Sequence, residues 1–467
     1  MSKMNWEQLF SIKRTGDSGS KNRYFDPVRD SYQQDYDRII FSSPFRRLQN
    51  KTQVFPLPGS VFVHNRLTHS LEVTSVGRSL GKAVGIEIWK KHEKSLSETA
   101  AEFYRYELPS VIAAACLSHD IGNPPFGHSG EDAIRNYFIE LEGNPKKIIE
   151  NSLSACQLKD FTNFEGNSNA LRVLTHAFNS PEQGGLKLTY ATLASIVKYP
   201  SDSLSGFDKK TGLISTKKSG FFDSERQTYL DIAETLGIPA LNEKKTIFSR
   251  HPFVYLTEAA DDICYRVIDL EDAHRLGIVS FETFLGLFLP FFNEGEEFGS
   301  QGYVLKKIAK FDDDRQKAQY IRAAWIGTMV QKMTDVFMAN EEALLNGTLQ
   351  KDLLDCLPEN ERGYIDAINK FSIKEIYNYK SVVEIECAGF NIIGGLLKEF
   401  ISGLLAPTTN RSKKLLQLVS KQFIVQRRPD TLYNDIHSVV DFISGMTDLY
   451  AIDLYRKISG IAIPEIK

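Results

Sequence analysis

Two histidines and two carboxylates, one of them from the adjacent Asp261 and Asp262, have the donor types to share one metal ion. His69 lies in RLTHS, His119 and Asp120 are adjacent in SHDIGNPPFGHSGE, and Asp261 and Asp262 are adjacent in EAADDICYRVIDLEDA. Imidazole nitrogens and carboxylate oxygens together form a mixed donor set that suits Mn, Fe, Co, Ni or Zn and tolerates Mg. A divalent ion in such a set polarises a phosphoryl oxygen and lowers the pKa of a bound water. Taken singly, His69 or His119 reads equally well as an ordinary, partly buried histidine. A second pair, His128 and Glu131, stands three residues apart, so the two can face each other on one helical turn. A carboxylate there can orient an imidazole and stabilise its charge, giving an acid or base that works near neutral pH. The plainer alternative is a glutamate that complements a helix N-terminus.

These residues need helices to position them. Apolar residues at Leu71, Val76, Leu80 and Val84 predict a helix over 67–91. Pro109 suits the start of a helix that runs through VIAAACLSHD. Gly122-Asn123-Pro124-Pro125 breaks it. A further helix is expected from Tyr32 to Leu48, and a long one after His251-Pro252 to about Leu270. On that long helix Asp261, Tyr265 and Asp269 recur every four residues and share a face. Residues 200–225 read as a loop or short hairpin, and strand signals are otherwise sparse. The fold class is therefore mainly α. A composition shift near 345–360 marks a weak boundary before a C-terminal helical region.

The net charge of −3 on 467 residues rules out a chain that is basic throughout. One local exception lies between Ile401 and Pro429, where Arg411, Lys413, Lys414, Lys421, Arg427 and Arg428 occur with no acidic residue. Such a stretch is a solvated face, an acid-binding contact to another subunit, or a phosphate-binding surface for substrate or single-stranded DNA. The five cysteines form no CxxC pair, so reduced thiols are expected. The N-terminus lacks a secretory pattern, and no uninterrupted apolar run approaches the ~18 residues of a membrane span. No membrane association and a cytoplasmic location are expected.

The run from His119 to His128, HDIGNPPFGH, resembles the signature of HD-domain phosphohydrolases, and more narrowly that of the deoxyguanosinetriphosphate triphosphohydrolase family. Further blocks follow the same family in order: SPFRRLQNKTQVF (43–55), HNRLTHSLEV (64–73), FEGNSNALR (164–172), LTYATLASIVKYP (188–200), HPFVYLTEAADDICYRVIDLEDA (251–273) and DFISGMTDLYA (441–451). The resemblance implies a short N-terminal extension (1–24), an HD-type helical catalytic domain (25–345) and a helical C-terminal region (346–467) that completes the pocket. It implies one divalent metal ion per site (Mg, Mn or another transition metal) on His69, His119, Asp120 and Asp261. The spacing Asp-x3-Tyr-x3-Asp selects Asp261 over Asp262, which the residues alone leave open. His128 and Glu131 become the catalytic dyad. Arg66, Lys198, Tyr199, Lys218 and Asn167 become triphosphate contacts. Gln53, Val54, Tyr265 and Asp269 become sugar contacts, with Tyr265 crowding the 2′ carbon. Glu386, in EIECAGF, becomes a candidate acceptor for the guanine edge. The expected reaction converts dGTP to deoxyguanosine and inorganic triphosphate, in a homo-oligomer that is a hexamer by resemblance. The alternatives are a broad dNTP triphosphohydrolase and, more distantly, a nucleotide- or DNA-binding regulator with a vestigial site.

Overall fold

A computed structural model describes residues 3–17, 29–56, 62–178, 180, 182–423 and 431–462. Ten of its helices build or brace the site: α1 (Ser31–Ile40), α2 (Arg66–His92), α3 (Leu108–Ser118), α4 (Gly127–Ile139), α5 (Gly166–Thr175), α6 (Val254–Arg275), α7 (Asp314–Ala339), α8 (Lys380–Leu405), α9 (Leu432–Ser444) and α10 (Asp448–Ile458). Among the described residues there is no extended strand; the β-pairing consists of isolated bridges. The mainly α class is what the sparse strand signals predict.

Two helices form the heart of the molecule because of small residues. The buried side of α2 carries Gly77, Gly81 and Gly85, one per turn. A methyl group at Gly85 would lie 2.1 Å from the Tyr104 carbonyl oxygen, and one at Gly77 would lie 2.3 Å from Cys116 Sγ. The glycines therefore let α3 lie directly against α2. The run VIAAACLS on α3 is buried throughout, with α1, α2 and α6 packed around it. Each fully buried Ile or Leu there contributes about 1.5–3 kcal/mol.

Helix starts follow local chemistry. Asn65 and Thr68 form a reciprocal capping box at the start of α2, with Asn65 Oδ1 accepting from the Thr68 N–H at 3.0 Å. Pro109 sits in the first turn of α3, where its missing N–H costs nothing.

Two expectations need correction. The helix predicted over 32–48 is interrupted: α1 ends at Ile40, and Ser42 caps a separate turn, Ser43–Arg47, with Pro44 inside it. A serine cap followed by proline starts a new helix rather than continuing an old one. Leu71 is exposed; the buried face of α2 is drawn by Val73, Val76, Leu80 and Val84 with the glycines. Of the two alternatives for residues 200–225, the structure takes the loop, with short 3-10 turns; the bridge of Asp202 to Phe221 is parallel, which a hairpin cannot form.

Among the described residues the apolar interior falls into two clusters. One holds α1, α2, α3, α6 and α7 and continues past residue 345 through Leu354, Ile365, Ile376 and Val382. The second joins Ile134, Phe161 and Phe222 to Ile393, Phe400, Val440 and Leu454 of α8, α9 and α10. Helix α8 is long and apolar enough, by length and composition, to cross a membrane, but half of that stretch is buried in this second cluster.

Candidate active site

The turn after the capping box sets His69 near the start of α2. The C-terminus of α3 delivers His119 and then Asp120, and the middle of α6 delivers Asp261. Among the described residues, His69, His119 and Asp120 form the one group of three such donors lying within 4.8 Å of one another. Asp261 Oδ1 reaches His69 Nε2 at 3.0 Å and His119 Nε2 at 3.5 Å. His119 Nδ1 donates to the Cys116 carbonyl at 2.7 Å, which fixes the tautomer and leaves Nε2 as a lone pair. That Nε2 is buried without a hydrogen-bond partner. An orphaned imidazole lone pair beside two carboxylates fits a divalent ion.

Burial opposes charge on Asp120 and Asp261, but nearby cationic groups outweigh it. Arg66 and the imidazoles hold Asp120 below the usual carboxylate range, and His119, His69 and Lys198 hold Asp261 well below it. Asp262 behaves differently. It pairs with Arg266 at 3.1 Å, and burial pushes its carboxyl up to about 6 despite Arg266 and Lys198.

His128 Nδ1 donates to Glu131 Oε2 at 3.3 Å across the first turn of α4. The glutamate is buried, whereas the histidine side chain is 81% exposed at the mouth of the cavity. Glu131 Oε1 accepts from the Gly166 N–H at the start of α5, 3.1 Å away, so the carboxylate is held from both sides. The hydrogen bond to Glu131 raises the His128 pKa. Glu131 is buried, yet His128, Lys218 and Arg135 keep it below its ordinary value.

All of the site residues named from sequence line one cavity of about 660 Å³. Arg66, at the first residue of α2, donates to Asp120 Oδ2 at 2.6 Å. Lys198 pairs with Glu258 at 3.0 Å and lies over the ring of Tyr199. Lys218 pairs with Glu165 at 2.9 Å, and Asn167 donates to the same oxygen at 2.7 Å. The carboxylate partners raise the pKa of both lysines despite burial. On the opposite wall Tyr265 is half-buried one turn from Asp261, and Asp269 lies one turn further. Burial pushes Asp269 up to about 7, although Tyr377 donates to it at 2.9 Å. Gln53 Oε1, beside Val54, is buried without a hydrogen-bond partner. Glu386, on α8, is exposed at the rim.

The HD domain family matches residues 66–204, and the phosphohydrolase-associated domain family matches residues 356–457. A deoxyguanosinetriphosphate triphosphohydrolase-like protein of Synechocystis is 36% identical over 98% of this chain and 100% of its own length. One from Listeria monocytogenes is 35% identical over 98% and 100%. The chain belongs to the deoxyguanosinetriphosphate triphosphohydrolase family of HD phosphohydrolases. A deoxyguanosinetriphosphate triphosphohydrolase of Yersinia enterocolitica is 30% identical, over 98% of this chain and 99% of that protein. As an HD phosphohydrolase it is a hydrolase of a metal-dependent class.

Four residues of this HD cavity escaped the reading of the sequence. Glu258 carries both Lys198 and Arg250, the latter at 2.5 Å, and those cations hold it down to about 2 against burial. Glu165 carries Lys218. Asn123 donates to Asp120 Oδ1 at 2.6 Å, and Tyr377 faces Asp269. The available signals were weak. Glu165 and Asn123 sit inside motifs, one beside Asn167 and the other in a helix-breaking run. Glu258 lies three residues before Asp261, within one turn of the same helix. Tyr377 has no sequence signal, since it comes from a different helix 108 residues beyond its partner.

Proposed function

We propose that this protein hydrolyses dGTP to deoxyguanosine and inorganic triphosphate with one divalent ion (Mg, Mn or another transition metal) on His69, His119, Asp120 and Asp261. The observation that carries this reading is the shared cavity: donor cluster, His-Glu dyad, lysines and the Tyr265–Asp269 wall converge on one volume of about 660 Å³. That size suits a nucleotide. When bound, the ion polarises an α-phosphate oxygen and offsets part of its charge. Arg66, Lys198, Lys218, Tyr199 and Asn167 hold the triphosphate and compensate its remaining charge. Water attacks the α-phosphorus in line with the 5′ oxygen, and the bond between phosphorus and that oxygen breaks. Glu131 holds His128 Nδ1, leaving Nε2 to exchange a proton with the reacting atoms. The raised pKa favours imidazolium, which suits donation to the departing 5′ oxygen. Asp269 accepts from the 3′-hydroxyl, and Gln53, Val54 and Tyr265 line the sugar. A buried acceptor awaiting a hydroxyl discriminates strongly against substrates that lack one.

Glu386 is the proposed guanine reader, but its exposure leaves the base end of the cavity less enclosed. That favours, as a second reading, a broad dNTP triphosphohydrolase. The remaining parts of the proposal are a catalytic body over 25–345 completed by 346–467, a homo-oligomer (hexameric by resemblance) and a cytoplasmic location. The basic segment is offered as a binding face for single-stranded DNA. Within it Arg411 bonds Glu399, and Arg427 and Arg428 lie outside the described residues. Hydrolysis in ¹⁸O-water tests the chemistry. The label is expected in the triphosphate; label in deoxyguanosine would mean cleavage at the 5′ carbon and would refute in-line attack at phosphorus.

A further inference from the structure

The motif DFISGMTDLYA, far from the reacting groups in sequence, has no role in the scheme above. In space it grips three segments of the site. Asp441 binds Arg172 of α5 through two hydrogen bonds from Nε and Nη2, at 2.9 and 2.8 Å. The Ser444 carbonyl accepts from buried Lys51 at 2.9 Å, and the same ammonium donates to the Asn123 carbonyl at 2.6 Å. Asp448, in the first turn of α10, uses its two oxygens on two different segments. Oδ2 accepts from the Thr52 N–H at 2.8 Å, and Oδ1 accepts from the Phe126 N–H at 3.1 Å.

The second contact falls where the backbone most needs holding. Phe126 has φ 62° and ψ 18°, a left-handed conformation that a side chain with Cβ disfavours. Gly127 follows at φ 57°, and His128 follows it. No side chain caps α4 at this end. On its other side the Phe126 ring lies against Gly389 of α8, where an added methyl carbon would stand 2.4 Å from Phe126 Cγ. The turn that aims His128 is therefore pinched between α8 and α10. Thr52 immediately precedes Gln53.

We propose that Asp448 is a positioning residue for the proposed reaction, fixing the Phe126–Gly127 turn that aims His128 and the segment that presents Gln53. The inference rests on the functional reading above, but its geometry does not. Displacement of a reacting group by about 1 Å costs on the order of a hundredfold in rate.

The test uses full-length Asp448→Ala and, in case that variant does not fold, Gly389→Ala, which displaces the Phe126 ring from the opposite side while favouring helix at α8. Two readouts are needed: kcat and KM for dGTP, and the titration of His128 followed by NMR, with His128→Gln assigning the signal. Each folded variant should lose roughly a hundredfold in kcat. Asp448→Ala should also raise KM, because Gln53 is released. In both variants the His128 midpoint should fall toward that of a free imidazole as its bond to Glu131 loosens. A folded variant whose His128 midpoint matches wild type overturns the proposal, whatever its thermal stability. If wild-type protein turns over no dNTP but the midpoint still shifts, the clamp stands and the substrate reading falls.

Discussion

At the scale of single residues, the account turns on charge held in known places. Glu131 raises the pKa of His128, so Glu131→Gln removes the partner that stabilises imidazolium and lowers that pKa. The limb of the pH–rate profile that follows His128 should move to lower pH in Glu131→Gln. His128→Gln should lose about 10²- to 10⁴-fold in kcat with substrate affinity retained. An unmoved limb would detach the dyad from the reaction. The adjacent aspartates offer a second comparison. Asp261 faces both imidazoles, whereas Asp262 is tied to Arg266. Metal content measured on the purified variants should therefore collapse in Asp261→Asn and stay near wild type in Asp262→Asn. The reverse pattern would exchange their roles. That His119, Asp120, His128 and Glu131 would share one cavity was legible in the sequence because they sit within one short run. Glu258, Glu165 and Tyr377 were not, because what gives them meaning is a partner brought close by folding.

At the scale of elements, the site depends on how closely α2 and α3 approach, since one carries His69 and the other leads to His119. Gly85 meets the Tyr104 carbonyl, a backbone atom that cannot swing aside. Gly85→Ala should destabilise the protein by about 1–3 kcal/mol, the usual cost of overpacking, despite the better helix propensity of alanine. A lowered thermal midpoint with weakened metal binding is the expected result. An unchanged midpoint would show that α2 and the Phe103–Glu107 turn leading into α3 have room to spare. Apolar periodicity found α2 and α3 but misassigned Leu71 to the buried face, because the pattern ignored glycines that mark the close contact. It also carried α1 on through Ser42, Ser43 and Pro44, where a capping hydroxyl and a proline in the first turn restart the helix.

At the scale of the whole molecule, two apolar clusters meet around the cavity. The first underlies His69, His119, Asp261 and the Tyr265–Asp269 wall, and the second carries much of α8 and the helices that brace the His128–Glu131 pair. The sequence pointed to a C-terminal region that completes the pocket, through motifs rather than through any property of composition. It did not reveal that Val382 belongs to one cluster and Ile392 to the other, because both lie on the same helix with the same apolar pattern. The most direct test of the central claim is to incubate the purified protein with each of the four dNTPs and with GTP, in Mg or Mn, and resolve the products by anion exchange. The account predicts deoxyguanosine and intact triphosphate from dGTP, with GTP left untouched. Release of dGMP with pyrophosphate, or of single phosphates, would contradict it.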